Sequence, residues 1–270
     1  MKKKTIYGAS LVRDYNKKKL YNMVRENAGI SRSMLSNMID LSPTSVSKII
    51  NILIDEGLIK EQGVSADGRI GRNAIQLNVV ANKVLSLGIN IDIFGIRGSI
   101  ININGEELVN IFFEHEIGTD FDIIADEIAD AINTLKSKIS EELIQNIIGI
   151  GITAPGYIDH KNGLIHQSPQ LKLENYPLIK YLKKRLGNDI PMILENNVKA
   201  AAMAESIYGT ANRVPSALIL EFGSGLGTAL ISEGRIHNGS HNSFGELGHV
   251  LVESNGIQCS CGRYGCLRTH

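Results

Sequence analysis

The chain has 270 residues, 43% of them hydrophobic, enough to bury a core and to build more than one domain; no apolar run reaches the roughly eighteen residues of a membrane span. Three cysteines, an odd number, argue against a disulfide framework, and the absence of tryptophan with only 5% aromatic residues argues against base stacking on aromatic platforms. The zero net charge hides a split: residues 1–80 hold 13 Lys/Arg and 7 Asp/Glu (+6), and residues 81–270 hold 15 and 21 (−6). A basic front on an acidic body fits a polyanion-binding module joined to a domain with another task, against the alternative of ordinary surface scatter.

The basic start, MKKKTIYGASLVRDYNKKK, has no apolar stretch and no cleavage site, so a cytoplasmic protein is expected. Residues 16–28 place Leu20, Met23, Val24 and Asn27 at helical spacing. Residues 30–41 repeat the pattern, with Ser31 as cap and Leu35, Met38 and Ile39 directed inward. A third helix starts at Ser42-Pro43, carries the stripe Val46, Ile49, Ile50 and Leu53, and ends at Gly57. Its polar side offers Ser42, Thr44, Ser45, Ser47 and Lys48 to base edges and phosphates.

Residues 58–79 read as two strands around a loop whose tip holds Arg69 and Arg72, cations suited to a minor groove or to phosphate. The whole predicts a winged helix-turn-helix domain over 1–80 that binds a double-stranded DNA operator. The alternative is a small helical bundle used for protein contacts.

From 81 to 270 the pattern turns to an α/β domain. Strands are expected within 84–108 with a turn at Asn104-Gly105, at 146–153 and at 190–196. Helices are expected at 121–140, 176–187 and 198–209, and a strand–glycine turn–strand hairpin at 216–239. Cys259, Cys261 and Cys266 follow His249 within glycine-rich turns, a donor set that suits a closed, structural Zn²⁺ site in a reducing compartment. Buried small hydrophobes are the alternative, and His270 is a rival ligand.

Five pieces in order, GITAPGYID (151–159), ILENN (193–197), GSGLG (223–227), GELGH (245–249) and CSCGRYGCL (259–267), resemble the ROK family of repressors and sugar kinases. The N-terminal winged helix makes the chain similar to the repressor branch. The resemblance implies an actin-like, sugar-kinase-like fold of two lobes, and it implies the same four metal ligands. It also implies sugar contacts at Asn196, Glu246 and His249, with Asn197 able to hydrogen-bond a hydroxyl without doing chemistry. Local turn capping is the alternative role for Asn196 and Glu246.

Two departures speak against a kinase. Where family kinases carry a glycine phosphate loop this chain has Asn90-Ile91-Asp92-Ile93, and Asn197 stands at the catalytic aspartate. GSGLG survives, but a tight hairpin that needs positive backbone angles is the preferred explanation, and without the first loop it is poor evidence for a nucleotide. Arg268 stands where the family supplies a sugar-contacting glutamate, and family repressors run on for about another hundred residues. Both features lead to the expectation of a truncated product with an incomplete second lobe, Arg268 marking where a frameshift departs from the family pattern.

The expected function is a sugar-responsive, homo-oligomeric repressor of carbohydrate utilisation genes of the xylose type, not an enzyme, released from DNA by its small sugar effector. The alternatives are an ATP-dependent sugar kinase, or a degenerate fragment that binds DNA without sensing sugar.

Overall fold

A computed structural model describes residues 9–64, 75–114, 121–187, 190–223, 225–239 and 244–270. They divide into two units that part after Val84, with Asn102–Asn104 grouped with the first.

The first unit is built on three helices and a small sheet. Helix α1 (Ala9–Glu26) starts earlier than its periodicity foretells, because none of residues 11–19 is buried and only Leu20 and Val24 reach the core. Strand β1 (Ile30–Ser31) precedes helix α2 (Arg32–Met38), and Ser31 caps α2 by accepting the Met34 N–H. The expectation that Met38 faces inward is corrected: it is 57% exposed. Helix α2 stops at Met38 and the chain turns extended at Ile39, so Ile39 fills the core instead.

Helix α3 (Pro43–Asp55) is capped by Ser42, which accepts the Ser45 N–H, and Pro43 begins it without sacrificing a hydrogen bond. Val46, Ile49, Ile50 and Leu53 are all buried, as their spacing requires. Strands β2 (Ile59–Val64) and β3 (Ile75–Val79) pair antiparallel, and with β1 they form a sheet of order β1-β3-β2. Arg69 and Arg72 lie outside the described residues.

The second unit centres on a five-stranded sheet of order β11-β7-β4-β5-β6. Strands β4 (Leu85–Asp92), β5 (Gly95–Asn102) and β6 (Glu107–Glu114) are consecutive neighbours, and Asn104-Gly105 lies in the second turn. Helix α4 (Phe121–Ser137) lays Ile124, Ile128, Ala131, Ile132 and Leu135 on the sheet, all buried. The short helix α5 (Glu141–Ile144) leads into β7 (Ile147–Ala154), which runs parallel to β4.

Three strands that the pattern did not reveal follow: β8 (Tyr157–Asp159), β9 (Leu164–Ser168) and β10 (Leu173–Tyr176), a separate sheet of order β10-β9-β8. Helix α6 (Leu178–Leu186) returns the chain to β11 (Met192–Asn196), parallel to β7. Because β4, β7 and β11 are parallel, their C-terminal ends converge, which is where an open α/β sheet gathers polar groups. Helix α7 (Asn197–Ile207) and the sheet β12 (Ser216–Phe222), β13 (Leu226–Ser232), β14 (Arg235–Ile236) enclose a small core of Val198, Ala202, Ala211, Ala229 and Ile231. On β12, Leu218, Leu220 and Phe222 stay exposed.

Ile50→Ala removes a fully buried side chain from the first unit and is expected to cost about 2–5 kcal/mol. Thr44→Ala, on the exposed side of the same helix, should cost less than about 0.5 kcal/mol. Urea denaturation of both variants checks the packing; equal losses would contradict it.

Candidate nucleic-acid interface and ligand site

On α3, Thr44, Lys48 and Asn51 are exposed and share one side of the helix at i, i+4 and i+7, with Ser47 half-buried beside them. Ser42 and Ser45 are committed to the helix start: their hydroxyls lie 2.9 Å apart while Ser42 caps. Asn51 is the residue that sequence reading passed over. Its signal was available, three positions after Lys48 on the same stripe, and its amide matches the donor–acceptor edge of adenine.

In the second unit a cavity of about 380 Å³ is lined by Asn196, Asn197, Lys199, Glu246 and His249, so every expected sugar-contacting residue shares one wall system. Asn196 is fixed by three hydrogen bonds. Its Oδ1 accepts the Val198 and Lys199 N–H groups at 3.0 and 3.2 Å, capping α7, and its Nδ2 donates to the Gly156 carbonyl at 3.0 Å. One amide hydrogen is left for a ligand. Gly156 permits this approach: its φ is +110°, and a Cβ there would lie 2.2 Å from the Gln167 carbonyl oxygen.

Glu246 behaves differently. It makes no capping bond at the short helical turn Leu247–His249, and its Oε2 lies 4.0 Å from His249 Nε2. Lys199, also missed in the sequence, is 5% exposed. Burial lowers its pKa, and the nearby carboxylates of Glu195 and Glu246 oppose that shift by favouring its charge.

At the end of β4, Asp92 occupies its own turn. Its Oδ1 accepts the Phe94 and Gly95 N–H groups at 2.7 and 3.2 Å, and Oδ2 accepts from Asn90 Nδ2 at 3.3 Å. Thr153 Oγ1 donates to Asn90 Oδ1 at 2.7 Å. The backbone donors of this turn are therefore already engaged by a carboxylate of the chain itself.

His249, Cys259, Cys261 and Cys266 bring one donor atom each to within 4.8 Å of the others. Cys259 Sγ lies 3.6 Å from His249 Nδ1, and Cys261 Sγ lies 3.7 Å from Cys266 Sγ. The loop that gathers them is tight. Cys259 N–H donates to the Arg263 carbonyl at 2.7 Å, Gly262 N–H to the Cys259 carbonyl at 2.9 Å, and Gly265 takes φ +65° because a Cβ would meet the Glu253 carbonyl oxygen at 1.6 Å. His270, the rival ligand, faces Glu253 at 3.4 Å instead.

Hydrogen bonding from the Arg263 backbone, helped by its side chain and the neighbouring thiols, lowers the Cys261 pKa to about 6. Burial, reinforced by Cys261 and Cys259, raises that of Cys266 to about 11. A cation that replaces the thiol protons fits this set.

Residues 13–60 match a winged helix-turn-helix DNA-binding family and residues 88–270 match the ROK family. The chain belongs to the ROK family. It is 28% identical over 267 residues to the DNA-binding transcriptional dual regulator NagC of Escherichia coli (strain K12), covering 98% of this chain and 64% of NagC. With the xylose repressor of Caldicellulosiruptor bescii it shares 29% over 258 residues, 96% of this chain and 64% of that protein. The crystal structure of a ROK family transcriptional regulator, a homolog of the E. coli MLC protein, superposes with a TM-score of 0.75 at 29% identity and covers 96% of this chain and 64% of that one.

A ROK family glucokinase from Streptomyces griseus, in complex with glucose and AMPPNP, superposes at 0.60 with 25% identity over 68% of this chain and 56% of its own. The fold is thus a winged helix-turn-helix followed by an actin-like, sugar-kinase-like ROK domain. The chain spans 64% of the length of the curated regulators it matches.

Asn196→Ala removes the cap of α7 and is expected to lower the stability of the second unit by about 1 kcal/mol in chemical denaturation. No loss of stability would show that the cap is idle.

Proposed function

We propose that the chain acts as a sugar-responsive DNA-binding repressor of carbohydrate utilisation genes. The observation that carries this reading is the pairing, in one chain, of a capped α3 bearing an exposed Thr44–Lys48–Asn51 stripe with a cavity lined by Asn196, Asn197, Glu246 and His249. The stripe would enter a major groove, with Ser42, Ser45 and Ser47 near the backbone and Arg69 and Arg72 of the wing adding phosphate or minor-groove contacts. Amides and a carboxylate hold vicinal hydroxyls in fixed geometry, which suits recognition of a small sugar. The names of its relatives, an N-acetylglucosamine-type regulator and xylose repressors, support both halves of the reading.

Response to sugar requires two states of different DNA affinity, one of which binds sugar better. In this reading the sugar-bound state releases DNA. The protein works in the cytoplasm as a homo-oligomer on a two-fold operator; no helix among the described residues is long and apolar enough to cross a membrane.

Phosphoryl transfer is not part of this function. The Asp92 carboxylate fills the turn donors that a phosphate would need and repels an anion, and the Asn197 amide cannot take a hydroxyl proton. Retardation of a selected genomic operator, reversed by one of a panel of hexoses and pentoses, is the expected result. ATP turnover with any of those sugars, abolished by Asn197→Ala, would overturn it in favour of a kinase; retardation that no sugar changes would favour a protein that binds DNA without sensing sugar.

Zn²⁺ is the metal this donor set suits, and bound there it would cross-link the loop as a closed, structural Cys3His site. Zn–S bonds of about 2.3 Å in a tetrahedron put ligand atoms about 3.8 Å apart, close to the 3.6 and 3.7 Å separations present. With Nδ1 of His249 turned toward Cys259, its Nε2 is the atom turned toward Glu246. One Zn²⁺ per chain is expected. Its affinity should fall as pH drops, more steeply below about 6, where Cys261 also becomes protonated. Cys266→Ser should lower both metal content and melting temperature; unchanged content would refute the site.

A further inference from the structure

One side chain of the first unit ties its own helix to two other elements at once. Arg32, the first residue of α2, directs Nε and Nη2 to Glu61 Oε1 on β2 at 3.2 and 2.8 Å, and Nη1 to the Ser47 carbonyl of α3 at 3.2 Å. Ser47 lies beside the Thr44–Lys48–Asn51 stripe, and Glu61 lies on the strand that leads into the wing loop. The planar guanidinium fork suits this task, because donors on its two edges are held at a fixed angle and a lysine ammonium offers no such pair of directions. The Ser47 carbonyl has a second lone pair available, so the helix need not surrender its own hydrogen bond.

We propose that Arg32 is a positioning residue: it fixes the spacing between α3 and the wing strand, and thereby specific DNA readout, without itself binding phosphate. This rests on the reading of α3 as the element that contacts DNA. Arg32 is half-buried and Glu61 exposed, with side-chain exposures of 27% and 38%, so the brace adds little to folding and acts chiefly on geometry. A neutralised arginine is also a poor phosphate ligand: while Glu61 holds two of its three contacts, its charge is not available for counterion release.

Loss of the brace leaves nonspecific attraction to the duplex intact and blurs the register in which two separate elements meet the grooves.

The test uses the full chain and two duplexes, an operator selected from genomic fragments and a random-sequence fragment of equal length, each titrated across a salt series. Arg32→Ala and Glu61→Gln should each weaken operator binding by about fivefold, the size that one half-exposed ion pair supplies. The double variant should be no weaker than either single one. Random-sequence affinity and the salt slope should not move, and Arg32→Lys, which keeps the charge and loses the fork, should recover only part of the loss.

A salt slope reduced by about one on both duplexes in Arg32→Ala, with tighter binding in Glu61→Gln, would make Arg32 a phosphate contact and overturn the proposal. Unchanged operator binding in both single variants would overturn it too. Glu61→Gln keeps the test open if Arg32→Ala unfolds, which thermal melting reveals. Should the unaltered chain prefer neither duplex, the DNA-binding reading itself fails, and the positioning role with it.

Discussion

The second unit depends on a single asparagine. The Asn196 amide ends β11, starts α7 and grips the Gly156 carbonyl just after β7, so two parallel strand ends and a helix are locked through one planar group. Everything in the cavity is referred to that lock: Asn197 and Lys199 stand in the first turn of the capped helix, and Lys199 in turn sets its charge between Glu195 and Glu246. In the proposed function, recognition and architecture share an atom set. The two roles sequence reading held as alternatives for Asn196 are compatible, since capping leaves one amide hydrogen unused, whereas Glu246 makes no capping bond.

At the end of β4 the chain fills its own turn with a carboxylate. The Asp92 carboxylate sits on the turn amides, with Asn90 and Thr153 extending the chain of hydrogen bonds behind it. At the other side of the cavity, His249 joins the cavity wall to the cysteine loop, one ring nitrogen facing Cys259 and the other Glu246.

Much of this was legible in the chain, and for physical reasons. Helix α3 was readable almost to the residue because cap, N-terminal proline and a four-residue apolar stripe agree, and the donor cluster because cysteine and histidine so close together have few other uses. Helix α1 hid its N-terminal part because none of residues 11–19 is buried. Met38 was misplaced although it lies within α2: three-residue spacing from Leu35 pointed it inward, but the core there is filled by Ile39, the extended residue that follows the helix. The sheet β8–β10 escaped notice because its strands are three to five residues long and its buried residues, Ile158, Ile165, Leu173 and Tyr176, are too scattered to show alternation. Lys199 and Arg32 carry no motif at all. Their importance comes from partners distant in the chain, which no local pattern contains.

The central claim is that the cavity and the DNA-binding module belong to one linked equilibrium. Linkage makes this directly measurable, because the factor by which sugar changes operator affinity must equal the factor by which operator changes sugar affinity. Sugar affinity is therefore to be measured calorimetrically twice, on the free protein and on protein saturated with its operator. The account predicts weaker sugar binding in the operator complex, by the same factor as the sugar weakens operator binding. Equal sugar affinities in the two states would contradict it.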